Sequence, residues 1–243
     1  MSLYLPKIIG HRGASGHAPE NTLASIQCAL DLGTQAIEID ATVSQDGIAM
    51  VMHDFNVDRT TDGHGPLILK SAADIQGLDA GSTFDEKFKG ERIPKLSEVL
   101  DLISAHDVVL NIEIKTTLGW EEPTARAVAK TLKSHETVQD KIFISSMSML
   151  ALDIFHDLMP DLPKSMIVYA IPENWSDRMM QHRCQSLHCY HEFVTADLAQ
   201  GLHEKDYHLN VYTVNDATQA KALFDLGVDA VFTDYPDKLL AAL

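Results

Sequence analysis

Residues 36–43 read Ala-Ile-Glu-Ile-Asp-Ala-Thr-Val, a stretch in which isoleucines alternate with carboxylates. Successive side chains of a β-strand point to opposite faces. Glu38 and Asp40 therefore share one face of the predicted strand, and Ile37 and Ile39 share the other. We expect the isoleucines to pack against helices and the carboxylates to face a polar interior.

The same alternation returns at residues 111–115, which read Asn-Ile-Glu-Ile-Lys. Asn111, Glu113 and Lys115 fall on one face of this second predicted strand, and two isoleucines fall on the other. A third carboxylate and a fixed cation are thereby placed at the end of another strand.

Short apolar stretches alternate with longer amphipathic ones over most of the chain. Eight predicted strands, each followed by a helix, in 243 residues indicate a single (β/α)₈ (TIM) barrel domain spanning residues 1–243. A doubly wound sheet rarely needs eight such units. The predicted strands are residues 7–10, 36–43, 108–114, 142–145, 165–168, 186–189, 209–212 and 230–233, and the predicted helices are residues 21–32, 96–104, 124–134, 148–158, 176–183, 196–205, 217–226 and 236–243.

One region interrupts this alternation after the second strand. A further extended run at residues 48–53 is joined to that strand by a turn with the Asp46-Gly47 hairpin signature. Residues 55–95 then lack a long periodic segment and are rich in Gly, Asp, Lys and Thr. We interpret them as a small inserted lobe within the barrel, since a structureless loop of this length is uncommon.

The composition excludes several classes of protein. With 19 Lys+Arg against 35 Asp+Glu, the formal net charge is −16, which argues against a nucleic-acid partner and against stable binding to an anionic membrane. Three irregularly spaced cysteines form no disulfide framework. With no apolar run long enough for a membrane span and no signal-peptide pattern, the sequence predicts a cytoplasmic protein.

In a barrel, polar residues at the carboxyl ends of strands gather at one face and form the active site. Glu38, Asp40 and Glu113 would repel one another there unless they share a proton or a cation, and oxygen ligands suit Mg²⁺ or Ca²⁺. A buried salt bridge to Arg or Lys is the structural alternative. His11 and His53 are candidates for an acid–base pair, because imidazole titrates near neutral pH.

Arg12 and Lys115 complete a cationic site once a metal is bound, and such a site suits a phosphate ester. The residues alone thus indicate a metal-dependent barrel hydrolase or lyase with an anionic substrate.

At these residues the sequence resembles the glycerophosphodiester phosphodiesterases, most closely their short cytosolic bacterial members. The resemblance extends over nearly the whole chain, in the order of the family's motifs. It is carried by His11-Arg12-Gly13, Ala18-Pro19-Glu20-Asn21-Thr22, Glu38-Ile39-Asp40, Asp46-Gly47, His53-Asp54, Arg59-Thr60-Thr61, Ile93-Pro94, Asn111-Ile112-Glu113-Ile114-Lys115, Thr213-Val214-Asn215, Gly227-Val228-Asp229-Ala230 and Thr233-Asp234.

The resemblance implies hydrolysis of a small glycerophosphodiester to an alcohol and sn-glycerol 3-phosphate, a reaction of glycerol and lipid metabolism. It also implies a divalent metal (Mg²⁺ or Ca²⁺, with Mn²⁺ also possible) held by carboxylates, an acid–base pair, and cations near the phosphate. The implied roles are metal ligands for Glu38, Asp40 and Glu113, catalysis for His11 and His53, and phosphate binding for Arg12 and Lys115.

Two further residues are expected at the substrate. Tyr212 takes the place of a frequent Trp in the family and would border the glycerol, and His188 is expected to line the pocket from a strand end. Val57 and Lys95 also depart from the family pattern, where Leu and Thr are common. None of these departures falls on a proposed ligand or base, so they bear on specificity.

Three other functions share part of this pattern. A related barrel phosphodiesterase could act on lysophospholipid or other lipid phosphodiesters, but the polar composition of the insert favours a soluble substrate. An enolase-like barrel places its metal ligands on three successive strands, unlike this pair on one strand and single ligand on the next. A non-catalytic phosphate-binding barrel would not need both His11 and His53.

Overall fold

The computed structural model describes residues 5–243 and contains, within them, nine strands and nine helices. The strands are β1 (Ile8–Gly10), β2 (Ala36–Val43), β3 (Ala49–Val51), β4 (Val109–Ile114), β5 (Ile142–Ser146), β6 (Lys164–Val168), β7 (Ser186–Tyr190), β8 (His208–Tyr212) and β9 (Ala230–Thr233). The helices are α1 (Leu23–Asp31), α2 (Ala72–Gly77), α3 (Leu96–Ser104), α4 (Glu121–Lys133), α5 (Met149–Leu158), α6 (Trp175–Gln181), α7 (Ala196–His203), α8 (Ala217–Asp225) and α9 (Pro236–Leu240).

Eight of the strands are parallel and form a closed barrel. The order around it is β1-β2-β4-β5-β6-β7-β8-β9, and β1 closes the ring by pairing with both β2 and β9. The short strand β3 pairs antiparallel with β2 outside the ring. The predicted (β/α)₈ barrel is therefore confirmed, and the carboxyl ends of all eight parallel strands lie at one face of the molecule.

The two faces of β2 differ as the alternation of its sequence predicts. Ile37 and Ile39 are fully buried in the large apolar core, which also contains residues of the surrounding helices. Glu38 and Asp40 are also buried, but they point to the opposite side, into the barrel. The interior below them is filled by a smaller apolar cluster built around Ile9 and Phe232. The helix-side core thus holds the strands in place, and the polar site occupies one end of the barrel interior.

Two helices begin two or more residues away from their predicted starts. Helix α1 begins at Leu23 rather than residue 21, because Asn21 adopts a left-handed φ of 60° and Thr22 caps the helix through a hydrogen bond from the Ser25 N–H. Helix α4 begins at Glu121, three residues before the prediction, because Pro123 is tolerated in the first turn of a helix. Helices α6, α7 and α9 end two or three residues earlier than predicted.

Residues 55–95 contain α2, two short 3₁₀ turns and extended connections. A small apolar cluster links this segment to β3: Met50 and Met52 pack with residues that include Leu67, Ile75 and Ile93. The segment follows His53 in the chain and returns to the barrel at α3, so it anchors the arm that carries this histidine. Among residues 5–243, no helix combines the length and apolar character that crossing a membrane requires.

The apolar face of β4 offers a test of how the barrel is stabilised. Ile112 is fully buried in the large core, so Ile112→Ala should lower the free energy of unfolding by about 2–5 kcal/mol, the cost of lost burial and a residual cavity. Urea denaturation would measure this as a lower midpoint with an unchanged m value. Leu240→Ala, at a side chain that is 42% exposed, should change stability by less than about 0.5 kcal/mol. Equal effects of the two variants would contradict the assignment of Ile112 to the core.

Candidate active site

A cavity of about 160 Å³ opens at the carboxyl ends of the barrel strands. Its lining divides into two halves. The side of β1, β2 and β4 is polar, and the side of β5 to β9 is mostly apolar. The lining residues are His11, Arg12, Glu38, His53, Asn111, Glu113, Lys115, Met147, Ile167, His188, Tyr212, Thr213 and Phe232.

The polar half contains a cluster of three carboxylates. Glu38, Asp40 and Glu113 each offer one oxygen within 4.8 Å of the oxygens of the other two. The parallel pairing of β2 with β4 places Asp40 directly beside Glu113. Burial and the neighbouring carboxylates raise the pKa of Glu38 well above its ordinary range, and burial together with Asp40 raises the pKa of Glu113 to about 7.

This cluster has the chemistry of a hard-cation site. Its donors are all carboxylate oxygens, which are the ligands that Mg²⁺ and Ca²⁺ prefer. The three carboxylates also repel one another, and a bound divalent cation would offset this repulsion. Glu38, Asp40 and Glu113 could therefore hold such a metal.

Neighbouring groups fix the orientation of each carboxylate. The Arg12 backbone N–H donates to Glu38 Oε2 at 3.0 Å, and the Asn21 amide donates to Asp40 Oδ2 at 2.8 Å. Lys115 Nζ lies 3.1 Å from Glu113 Oε1. Both Arg12 and Asn21 reach these positions with φ near +54° and +60°, the left-handed region that is costly for residues other than glycine. The backbone strain at these two residues thus serves to orient the acidic cluster.

His11 is held by a carboxylate from the last strand. Its Nδ1 lies 2.7 Å from Asp234 Oδ1, and an ionised carboxylate can only accept, so Nδ1 carries the proton. Burial would raise the pKa of Asp234, but hydrogen bonds from His11, Asn215 and Ser15 hold it at about 2. Asp234 is consequently ionised at neutral pH, and His11 Nε2 remains free to exchange a proton in the pocket.

His53 has a matching partner of its own. Its Nδ1 lies 2.6 Å from Asp54 Oδ1, and Arg59 donates to the same carboxylate. The ammonium of Lys115 approaches the other ring nitrogen, Nε2, at 3.2 Å. Burial lowers the pKa of His53, and the nearby cations Arg12 and Lys115 act in the same direction against Asp40. His53 therefore faces the site through an unprotonated Nε2.

Tyr212 and His188 line the pocket from its apolar half. The Tyr212 hydroxyl donates to the backbone oxygen of Val168 at 2.9 Å, so its ring rather than its hydroxyl borders the pocket. His188 lies inside β7 rather than at a strand end, and burial lowers its pKa to about 3. Its neutral ring contacts Asn210 at 3.1 Å. His188 therefore contributes to the floor of the pocket without a charge.

The carboxylates that support this site were not predicted from the sequence. Asp54 and Asp234 orient the two histidines, and Glu20 accepts from both Arg12 and Arg59 at 2.7 Å. Asp54 could have been suggested by its place next to His53 in the chain. Asp234 could have been suggested by barrel closure, because Gly10 pairs with Thr233 and the residues that follow them become neighbours.

Comparisons with known proteins agree on one family. Residues 11–238 match the model of the glycerophosphoryl diester phosphodiesterase family. The chain is 33% identical to a glycerophosphodiester phosphodiesterase of Caldanaerobacter subterraneus subsp. tengcongensis and 30% identical to one of Bacillus altitudinis, with 96% of each chain covered in both cases. A solved structure of an Oleispira antarctica phosphodiesterase, in complex with the product sn-glycerol-3-phosphate, is 38% identical with a TM-score of 0.95, covering 98% of this chain and 96% of that one.

The raised pKa of Glu113 predicts a pH-dependent stability of the metal-free protein. A carboxyl with a folded-state pKa of about 7 favours the folded state in its protonated form, so this stability is present at low pH. It is lost as the pH rises through the interval between the ordinary value of about 4.5 and about 7. In EDTA, we expect Glu113→Gln to gain about 1–2 kcal/mol of stability relative to the wild type between pH 5 and pH 8.

Urea denaturation of both proteins at each pH would measure this difference. Added Mg²⁺ or Ca²⁺ should stabilise the wild type more at pH 8 than at pH 5, because the metal binds the ionised carboxylates. A difference between the two proteins that is constant with pH would show that Glu113 titrates normally.

Proposed function

The chain belongs to the glycerophosphoryl diester phosphodiesterase family, and from this premise we propose that it hydrolyses glycerophosphodiesters to an alcohol and sn-glycerol 3-phosphate with the aid of a divalent metal. The observation that carries the proposal is the meeting, in one pocket, of three clustered carboxylates with two histidines, each held by its own carboxylate.

Charge on the phosphate would be met by the cations of the polar half. Arg12 and Lys115 both line the pocket, and each is fixed by a neighbouring carboxylate, Glu20 at 2.7 Å and Glu113 at 3.1 Å respectively. Preorganised cations stabilise the charge that develops on phosphoryl oxygens without moving during the reaction. A divalent metal held by Glu38, Asp40 and Glu113 would add Lewis-acid stabilisation of the same charge.

The two histidines would move the protons. Hydrolysis of a phosphodiester needs a base for the attacking oxygen and an acid for the departing alcohol. The attacking oxygen belongs to water, or to a glycerol hydroxyl whose cyclic phosphate product is then opened by water. His11 and His53 each present Nε2 to the site while a carboxylate holds Nδ1. The carboxylate fixes the tautomer and the ring orientation, and it stabilises the imidazolium when the ring accepts a proton. Either histidine can serve as the base, with the other as the acid.

The apolar half would receive the glycerol carbons. Ile167, Tyr212 and Phe232 form this wall opposite the carboxylates. An apolar wall limits the water around the phosphate and strengthens the electrostatic interactions on the polar side. The contrast between the two walls would thus orient the substrate, with its phosphate toward Arg12 and Lys115.

Enzyme-coupled detection of glycerol 3-phosphate tests this function directly. Glycerophosphocholine, -ethanolamine, -glycerol and -inositol would be offered with Mg²⁺, Ca²⁺, Mn²⁺ or EDTA. We expect release with a divalent ion and a loss of at least about a hundredfold in EDTA, because the charge-stabilising cation is removed. A folded, metal-loaded protein that releases no glycerol 3-phosphate from any of the four diesters would contradict the proposal.

The role of Asp234 as the partner of His11 can be tested by substitution. Asp234→Asn keeps the shape of the side chain but removes the charge that holds the His11 tautomer. We expect kcat to fall by about a hundredfold or more with KM nearly unchanged, since the lost interaction matters chiefly when the imidazole gains a proton.

A matched control exists for this variant. His17 Nε2 and Asp237 Oδ1 form a pair of the same length, 2.7 Å, outside the pocket, so Asp237→Asn should keep kcat within about twofold. A parallel loss of activity in both variants, or a rise in KM alone for Asp234→Asn, would argue against a positioning role for Asp234.

A further inference from the structure

A second cavity, the side groove, adjoins the active-site pocket on the side of β4 and β5 and has a volume of about 360 Å³. Glu113, Lys115 and Met147 line both cavities, so the two are continuous at the place where the phosphate would bind. The groove also lies next to His53, because Lys115 contacts this histidine at 3.2 Å and Phe55 follows it by two residues.

The walls of the side groove are apolar and exposed. Leu118, on the loop between β4 and α4, is 93% exposed, while Phe55 and Met147 are 57% and 54% exposed. Large apolar side chains that converge on a cavity beside a catalytic pocket are typical of ligand sites. An aromatic ring among them is suited to a cationic nitrogen with its attached carbons.

Most polar groups of the side groove are already engaged, and among its charged groups one is not. Lys115 and Glu113 pair with each other, the Ser146 hydroxyl donates to the Ile114 oxygen, and Ser148 caps α5. Within residues 5–243, the carboxylate of Glu121 makes no hydrogen bond or ion pair. The groove therefore combines apolar walls with one uncommitted negative charge.

We propose that the side groove binds the departing alcohol of the substrate and favours an alcohol with a cationic nitrogen, such as choline or ethanolamine, through the carboxylate of Glu121 and the apolar faces of Phe55 and Leu118. The inference rests on the proposed function. The pocket of about 160 Å³ takes the constant glycerol phosphate, and the larger and more open groove takes the part that varies between substrates. The alcohol oxygen then departs beside His53.

Substrate comparison with a charge-neutral variant tests this subsite. Glu121→Gln should lower kcat/KM for glycerophosphocholine and glycerophosphoethanolamine about fivefold, mainly through KM, because one partly exposed ion pair is lost. The values for glycerophosphoglycerol and glycerophosphoinositol should stay within about twofold.

Glu122→Gln is the matched control. Glu122 shares the first turn of α4 and its helix dipole with Glu121, but it is exposed, pairs with Arg126 at 2.8 Å, and does not line the groove. Any effect that acts through the helix dipole alone should appear in both variants. The preference for cationic substrates should change only in Glu121→Gln.

A binding measurement separates failure of this subsite from failure of the proposed function. Choline and its uncharged carbon isostere, 3,3-dimethylbutan-1-ol, would be titrated against the metal-loaded protein by NMR. Glu121→Gln should weaken choline about fivefold and leave the isostere unchanged, whereas Leu118→Ser should weaken both about threefold through lost apolar contact. This result stands even if no diester is hydrolysed.

The proposal would be overturned by equal losses for all four diesters in Glu121→Gln, or by the same shift in Glu122→Gln. Choline binding that is unchanged in both Glu121→Gln and Leu118→Ser would overturn it as well. A preference for lysophosphatidylcholine over glycerophosphocholine that is lost in Leu118→Ser and kept in Glu121→Gln would also overturn it, and would assign the groove to an acyl chain.

Discussion

Repulsion among three clustered carboxylates, two buried and one partly buried, is the constraint on which the rest of this site depends. At separations below 4.8 Å, each pair of ionised acids repels by about 3–4 kcal/mol at the effective dielectric constant of a protein. An exposed ion pair returns no more than about 1 kcal/mol, so surface charges cannot offset the cluster. The surrounding residues compensate only in part: Arg12 and Lys115 add two positive charges, and Asn21 adds a hydrogen bond. The remaining deficit is what a divalent cation would supply.

Much of this cluster could be predicted from the sequence, because two periodicities act together. A strand alternates every second residue, which places Glu38 with Asp40, and a parallel barrel aligns strand ends, which brings Glu113 beside them. The strands themselves were predicted within about a residue, since β2 spans Ala36–Val43 as its alternation indicates. The predicted start of α1 was wrong, because the true start depends on a contact between distant residues that no local pattern shows. Asn21 leaves the helical region to reach Asp40, and that contact joins residues 19 positions apart.

The partner of His11 could not be predicted from a local pattern for the same reason. Asp234 meets His11 across 223 residues, at the seam where β9 closes the barrel on β1. Glu20 accepts from Arg12 and also from Arg59, which lies 39 residues further along the chain, and so connects the end of β1 to the inserted segment. These contacts depend on loop geometry, which composition and periodicity do not encode. The site residues share one feature: each cation or imidazole proposed to act on the substrate is held by an acid, which for His53 and Lys115 lies close in the chain and for His11 lies in a distant segment.

The mouth of the barrel has two regions, and each would contact a different part of the substrate. The carboxylates, histidines and cations come from β1, β2, β3 and β4, elements whose mutual register is fixed by strand pairing. The side groove shares Glu113, Lys115 and Met147 with the pocket, but its walls also include the β4–α4 loop and the start of the insert, where Leu118 and Phe55 are exposed. Substitutions in such loops are tolerated more readily than substitutions on paired strands. Chemistry common to all glycerophosphodiesters would thus be set by the strands, and the choice of alcohol could change through loops without disturbing the acidic cluster.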